Sequence, residues 1–155
     1  MAKPSHLESL DLPKVVNEWL KHFETALSKN RFNDAANLFV DQGQWRDLLA
    51  FTWHVQTMSG NQEILHTLQQ TTPKAKPSGL SLAEERTPPR VIDRADTICI
   101  EAFIKLDTVW GPASGILRLV ADEDGPNSLK AWVLMTSLDE IRGHEEAIGD
   151  RRPSG

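Results

Sequence analysis

Apolar residues open the chain at helical spacing. Between Lys14 and Lys29, Val15, Val16, Trp19, Leu20, Phe23, Ala26 and Leu27 form one wide stripe, which predicts an amphipathic helix lying on a core. Pro13, just ahead of it, marks the start. Asn33 to Val40 repeats the pattern with Ala36, Phe39 and Val40, predicting a short second helix that Gln42-Gly43 ends. The period then falls to two. Trp45, Asp47, Leu49, Phe51, Trp53 and Val55 occupy alternate positions and predict one strand from Trp45 to Val55 with these residues on a single face. Ser59-Gly60-Asn61 reads as a turn and cap before a third helix, Gln62 to Gln70, that buries Ile64, Leu65 and Leu68.

Residues 71–90 hold four prolines and mixed charge, and predict a long surface loop with an edge strand around Leu80 and Leu82. Three strands close the pattern. Thr97 to Val109 carries Ile98, Ile100, Ala102, Ile104 and Leu106 on one face; Ile116 to Ala121 and Leu129 to Leu138 follow. Gly111 to Gly115 and Asp122 to Asn127 read as the turns between them. Helices gathered early in the chain cannot supply the crossovers of a doubly wound parallel sheet. The order predicts an α+β domain: a curved antiparallel sheet with three helices on its concave face, enclosing a cavity suited to a small molecule. Residues 1–13 form a polar tail, 14–146 the domain and 147–155 a C-terminal tail.

Composition narrows the partners. A chain of 155 residues with 39% apolar and 25% charged residues can bury a core without metals or disulfides. The net charge of −5 argues against nucleic acid and anionic membranes, and no run of basic residues offsets it. Cys99 is the single cysteine, so no intrachain disulfide forms and a reducing compartment is expected. Neither a secretory signal nor a run of about 20 apolar residues is present, so a cytoplasmic, soluble protein is expected.

Trp45-Arg46-Asp47-Leu48-Leu49-Ala50-Phe51-Thr52-Trp53 resembles the signature of the NTF2-like (SnoaL-like) domain at the N-terminus of fungal flavin-containing monooxygenases. So do Gly115 to Val120, Lys130 to Leu134 and Gly143-His144-Glu145, in register over roughly residues 14–155. The resemblance implies the NTF2-like cone with a pocket at its wide end. In those enzymes the flavin-binding Rossmann domain follows a segment like Gly149 to Gly155. No GxGxxG follows a strand here, so monooxygenase chemistry and a flavin are not expected. Relatives of the same fold include polyketide cyclases, scytalone dehydratase, ketosteroid isomerase and limonene epoxide hydrolase, which work without cofactors. Fold alone does not transfer their chemistry. Gln44 and His54 depart from the residues typical of the long enzymes, on the strand expected to line the cavity.

Asp47 is the sharpest chemical candidate. A carboxylate sharing a face with Trp45, Leu49, Phe51 and Trp53 is either a desolvated general acid or base, or a structural group bonded to arginine or helix-end amides. His54 is the second: a proton-exchanging imidazole if a bend near Ala50 brings it to Asp47, and otherwise a surface residue. Trp19, Phe23, Trp45, Phe51, Trp53, Trp110 and also Trp132 can stack on a planar or polyene-like substrate, or serve as core. No spacing suits a metal site or a covalent nucleophile.

Two functions follow. The first is a cofactor-independent cyclase or isomerase, a pericyclase such as a Diels-Alderase included, acting on a hydrophobic intermediate of fungal terpenoid or polyketide secondary metabolism. The second is a non-catalytic accessory or ligand-binding domain associated with a flavin-dependent monooxygenase. Because the last two strands are apolar on both faces, a homodimer through the sheet is expected.

Overall fold

The structure is a computed structural model that describes Leu7 and residues 9–52, 54–121 and 129–139. The first stripe forms helix α1, Leu12–Ser28, which starts where the Asp11 carboxylate accepts from the Lys14 N–H at 3.3 Å and Pro13 occupies the first turn. It buries Val16, Trp19, Leu20, Phe23, Ala26 and Leu27. Helix α2 is shorter than its pattern, Phe32–Ala36, because Phe39 already belongs to a strand.

That strand, β1 (Phe39–Leu48), buries Phe39, Gly43, Trp45 and Asp47 on one face. Its register against its neighbour shifts between Phe39 and Gln44. Gly43 sits inside this bulge, where a Cβ would lie 3.1 Å from the Ala131 and Val40 carbonyls. The predicted strand through Val55 is instead a hairpin. β1 stops at Leu48, residues 49–52 and 54 lie in its tip, and β2 (Val55–Ser59) returns antiparallel. Leu49 takes a left-handed backbone, φ +70°, which no continuing strand allows. The Asp47 side chain also captures backbone N–H groups of the tip that a strand would give to a neighbour.

Helix α3 runs Asn61–Ala75, past the predicted end at Gln70, with Pro73 in its last turns. The carbonyl left without a donor by that proline belongs to Gln69, on the exposed side of the helix. β3 (Ser78–Leu82) is the expected edge strand, and a second, unforeseen strand, β4 (Arg90–Arg94), begins where the proline-rich segment ends. β4 folds onto β5 (Thr97–Thr108) through Ala95-Asp96, both at positive φ, as a tight two-residue hairpin turn needs. Neither residue is the glycine or asparagine that usually announces such a turn.

β5 turns at Val109-Trp110 into β6 (Gly111–Ala121), so Gly111 to Gly115 lies within a strand rather than forming the turn. The glycine that mimicked a turn signal is needed for another reason. A Cβ on Gly115 would fall 2.1 Å from the Met135 carbonyl oxygen of β7 (Leu129–Leu138), whose backbone passes directly over it. The turn expected at Asp122 to Asn127 lies outside the described residues.

The sheet has seven strands in the order β2-β1-β7-β6-β5-β3, with β4 also on β5. It is mixed, not purely antiparallel, because β1 and β7 pair parallel. The connection between them runs through α3 and the other strands, long enough to bring β7 back in the same direction. The three helices pack on the concave face: α1 against β3, α2 against α1 and α3, and α3 against β1 and β2. The core lies between them and includes Trp19, Phe23, Phe39, Trp45, Phe51, Ile64, Leu68, Ile104 and Leu117. No helix among the described residues is long and apolar enough to cross a membrane.

Cys99 lies fully buried among the strands, outside the main core. Burial pushes its thiol pKa up, and the nearby Arg118 charge opposes this without reversing it. An aromatic disulfide reagent at about pH 8 should therefore leave Cys99 intact in native protein and modify it after denaturation. Rapid stoichiometric labelling of the folded chain would contradict this.

Candidate functional site

Asp47 is the one buried charge that the described residues place on the inner face of the sheet. Its carboxylate is fully enclosed and receives donors from two directions. From the hairpin tip, the Phe51 N–H donates to Oδ2 at 2.9 Å and approaches Oδ1 at 3.2 Å. The Thr52 N–H donates to Oδ2 at 2.9 Å. The Thr52 hydroxyl reaches Oδ2 and the His54 carbonyl, each at 2.9 Å, and accepts from the His54 N–H at 3.1 Å. From β7, the Thr136 hydroxyl donates to Oδ1 and accepts from the Trp45 indole N–H at 3.0 Å. Every hydrogen bond to the carboxylate comes from a donor, and together they occupy its lone pairs.

The sheet register makes this arrangement. Asp47 pairs with Thr136 on β7 and Trp45 with Leu134, so one parallel step sets the hydroxyl between indole and carboxylate. Thr136 was not singled out by the sequence. The available signal was a hydroxyl on the core-facing side of a strand otherwise carrying Ala131 and Leu134. Thr52 was missed too, because the segment read as a strand rather than a tip.

The bend near Ala50 that would join His54 to Asp47 is present. It links them through the Thr52 hydroxyl and the His54 backbone, while the His54 residue is exposed. The aromatic candidates fall into three places. Trp45 and Phe51 are fully buried beside Asp47, edge to face at 4.9 Å. Trp19 and Phe23 stack at 4.9 Å against the edge of Phe39, with the Trp19 indole donating to the Leu38 carbonyl. Trp110 is half-buried at the β5–β6 turn. Trp53 lies outside the described residues.

Two openings among the described residues are clefts. One of about 430 Å³ runs along α1 past His22, Ala26 and Leu38, and another of about 520 Å³ lies between β2 and α3 beside Met58, Glu63 and His66. Neither is lined by Asp47. In the core, the hydroxyl of Thr72 on α3 is buried without a hydrogen-bond partner. Among the described residues no three His, Cys, Asp or Glu side chains converge as metal ligands would.

No protein-family model and no curated protein matches the sequence. Solved structures do match the fold. An NTF2-like protein with a cystatin-like fold from Novosphingobium aromaticivorans has a TM-score of 0.59 at 12% identity, over 96% of this chain and 94% of that one. ActVI-ORFA from Streptomyces coelicolor scores 0.54 at 14% identity, over 80% of this chain and 94% of that one. The Orange Carotenoid Protein of Anabaena, solved binding canthaxanthin, scores 0.51 at 16% identity, over 86% of this chain and 38% of that one. With three helices on the concave face of a curved seven-stranded sheet, this chain has the NTF2-like, cystatin-like α+β fold.

Proposed function

We propose that the chain is a cofactor-independent cyclase or isomerase acting on a hydrophobic intermediate of fungal terpenoid or polyketide metabolism, with Asp47 as its general acid or base. The observation that carries this reading is the placement of that carboxylate: fully buried near Trp45 and Phe51, on the inner face, under a hairpin tip. Asp47 accepts the hydrogen bonds of the Phe51 and Thr52 N–H groups and the Thr52 hydroxyl, while Ala50 and Phe51 pack the tip into the core. Displacing the Phe51 and Thr52 N–H groups frees Oδ2, while the Thr136 hydroxyl, itself held by the Trp45 indole, still donates to Oδ1 from behind. A substrate entering there meets aromatic walls and one oriented base.

In an isomerisation, Oδ2 takes a proton from a carbon beside a substrate carbonyl, and the electron pair moves onto the carbonyl oxygen. The same oxygen of Asp47 returns the proton at another carbon, so the product has the mass of the substrate. In a cyclisation, the chamber folds a flexible chain into its reactive shape and the polar groups orient the acceptor. The canthaxanthin bound by the Orange Carotenoid Protein supports a fold that accommodates large apolar molecules.

The test is a panel of conjugated carbonyl polyenes, followed by tryptophan fluorescence for binding and by chromatography for isomeric products. Asp47→Asn is expected to lower turnover by about 10²–10⁴-fold, the usual contribution of a general acid or base. His54→Ala is expected to lower it by roughly tenfold. Full activity in both variants removes these residues from the mechanism.

A second reading, a non-catalytic ligand-binding or accessory domain, draws on the saturated hydrogen bonding of Asp47, which also suits a purely structural clasp. Binding without conversion across the panel would favour it.

A further inference from the structure

Two threonine hydroxyls hold the Asp47 carboxylate, and they differ in freedom. The Thr52 hydroxyl stands 2.9 Å from both Oδ2 and the His54 carbonyl, so its single proton has two acceptors to choose between. The Thr136 hydroxyl has no such choice among the described residues. It accepts from the Trp45 indole N–H at 3.0 Å, and an indole nitrogen can only donate. Its one proton is therefore directed at Asp47 Oδ1. On the other flank of Thr136, its β6 partner is Gly115, which has no side chain to offer. A β-branched side chain has few χ1 rotamers, which fixes the hydroxyl further. Thr136 is buried, and Trp45 and Asp47 are completely so.

The two oxygens of the carboxylate are thereby made unequal. Oδ1 faces a donor that cannot turn round to accept, so a proton placed on it would meet the Thr136 proton. Oδ2 is held from the tip alone, by the Phe51 and Thr52 N–H groups and by a Thr52 hydroxyl that has the His54 carbonyl as an alternative.

We propose that Thr136, locked by Trp45, is a positioning residue for the reaction at Asp47: it confines proton exchange to Oδ2. The inference rests on the reading of Asp47 as a general acid or base. When Oδ2 takes a proton from a substrate carbon, the electron pair of that C–H bond passes toward the substrate carbonyl oxygen. Thr136 remains a donor to Oδ1 throughout and gives up no proton. Oδ2 then returns the proton to another carbon, and the carboxylate has not rotated between the two transfers because Oδ1 stays pinned. A valine would fill the same space; the hydroxyl adds direction.

The test compares Thr136→Val, which keeps the shape and removes the hydroxyl, with Thr136→Ser, which keeps the hydroxyl. On a conjugated carbonyl polyene that the wild type converts, Thr136→Val is expected to lower kcat about 30-fold with KM within about twofold. Thr136→Ser should recover most of that loss. A kcat equal to wild type, an effect confined to KM, or a serine variant no better than the valine one overturns the inference. Trp45→Phe removes the locking donor and leaves Thr136 in place. It is expected to lower kcat about fivefold, and it decides the question if Thr136→Val does not fold: an unchanged kcat then counts against the lock.

The lock is also visible without substrate. The indole proton resonance that disappears in Trp45→Phe should move upfield in Thr136→Val, as its acceptor is lost, and hold its place in Thr136→Ser; no movement overturns the lock. Asp47→Asn separates this inference from the reading beneath it. An inactive Asp47→Asn beside a fully active Thr136→Val sinks the positioning role alone. A fully active Asp47→Asn, or a wild type that converts nothing in the panel, sinks the acid–base reading of Asp47 and the positioning role with it.

Discussion

Replacing Gly115 by alanine is expected to destabilise the protein by about 4 kcal/mol or to prevent folding. The new Cβ would lie 2.1 Å from the Met135 carbonyl oxygen, with the Ile104 side chain at 3.3 Å on its other side. Relief needs β6 and β7 to part by more than an ångström. β6 and β7 are the two central strands of the sheet, so the disturbance reaches neighbours on both sides. Alanine would reduce unfolded-chain entropy, but that gain is only about 0.4–1 kcal/mol and cannot offset the clash. For a chain of this length, 4 kcal/mol corresponds to a Tm lower by roughly 8–16 °C. Gly79→Ala is the control. Its added Cβ meets nothing within 4 Å, and only the left-handed backbone, φ +64°, is strained, at a cost of roughly 1 kcal/mol. Equal thermal shifts for the two variants would refute the close-approach argument.

Asp47→Ala is expected to cost about 3–4 kcal/mol, with its effect concentrated in the hairpin tip. Removal of the carboxylate strands the Phe51 and Thr52 N–H groups and the Thr136 hydroxyl. Each buried donor left alone costs about 1–3 kcal/mol. The sum is not reached, because deleting a buried charge that pairs with no cation among the described residues also recovers desolvation energy. Hydrogen exchange at Phe51 and Thr52 should accelerate well beyond the global change in stability, since their amides lose their acceptor. Slow exchange at both amides in Asp47→Ala would show that other contacts hold the tip. This measurement also frames the activity test: a tip loosened in Asp47→Asn and still fully active would separate clasp from base.

Much of the architecture was legible in the sequence. The long stripe of α1, the alternation of β5 and the run from Leu129 to Leu138 each carry a full period of burial, and all three form where the pattern puts them. The errors lie where a local signal served a non-local purpose. Gly111 to Gly115 has turn composition, yet Gly115 is a glycine because another strand's carbonyl crosses it. The alternation from Trp45 to Val55 implied one strand, yet Asp47 diverts the backbone by taking its amides. β4 forms because Val91 and Ile92 meet Ile100 and Cys99, partners that no local window contains.

The sequence by itself determined α1, β5 and β7, the α+β class, and Asp47 as an unusual charge among aromatic residues. Periodicity and side-chain chemistry are local, and these follow from them. Tertiary structure alone decided what surrounds that charge. The donors on Asp47 come from residues 4, 5 and 89 positions away, and the most distant, Thr136, arrives only through the parallel pairing of β1 with β7. It likewise gathered Arg90, Arg94 and Arg118 around Glu101, cations that look dispersed along an acidic chain. Register across a sheet sets such neighbours, and register is settled by the packing of the whole fold.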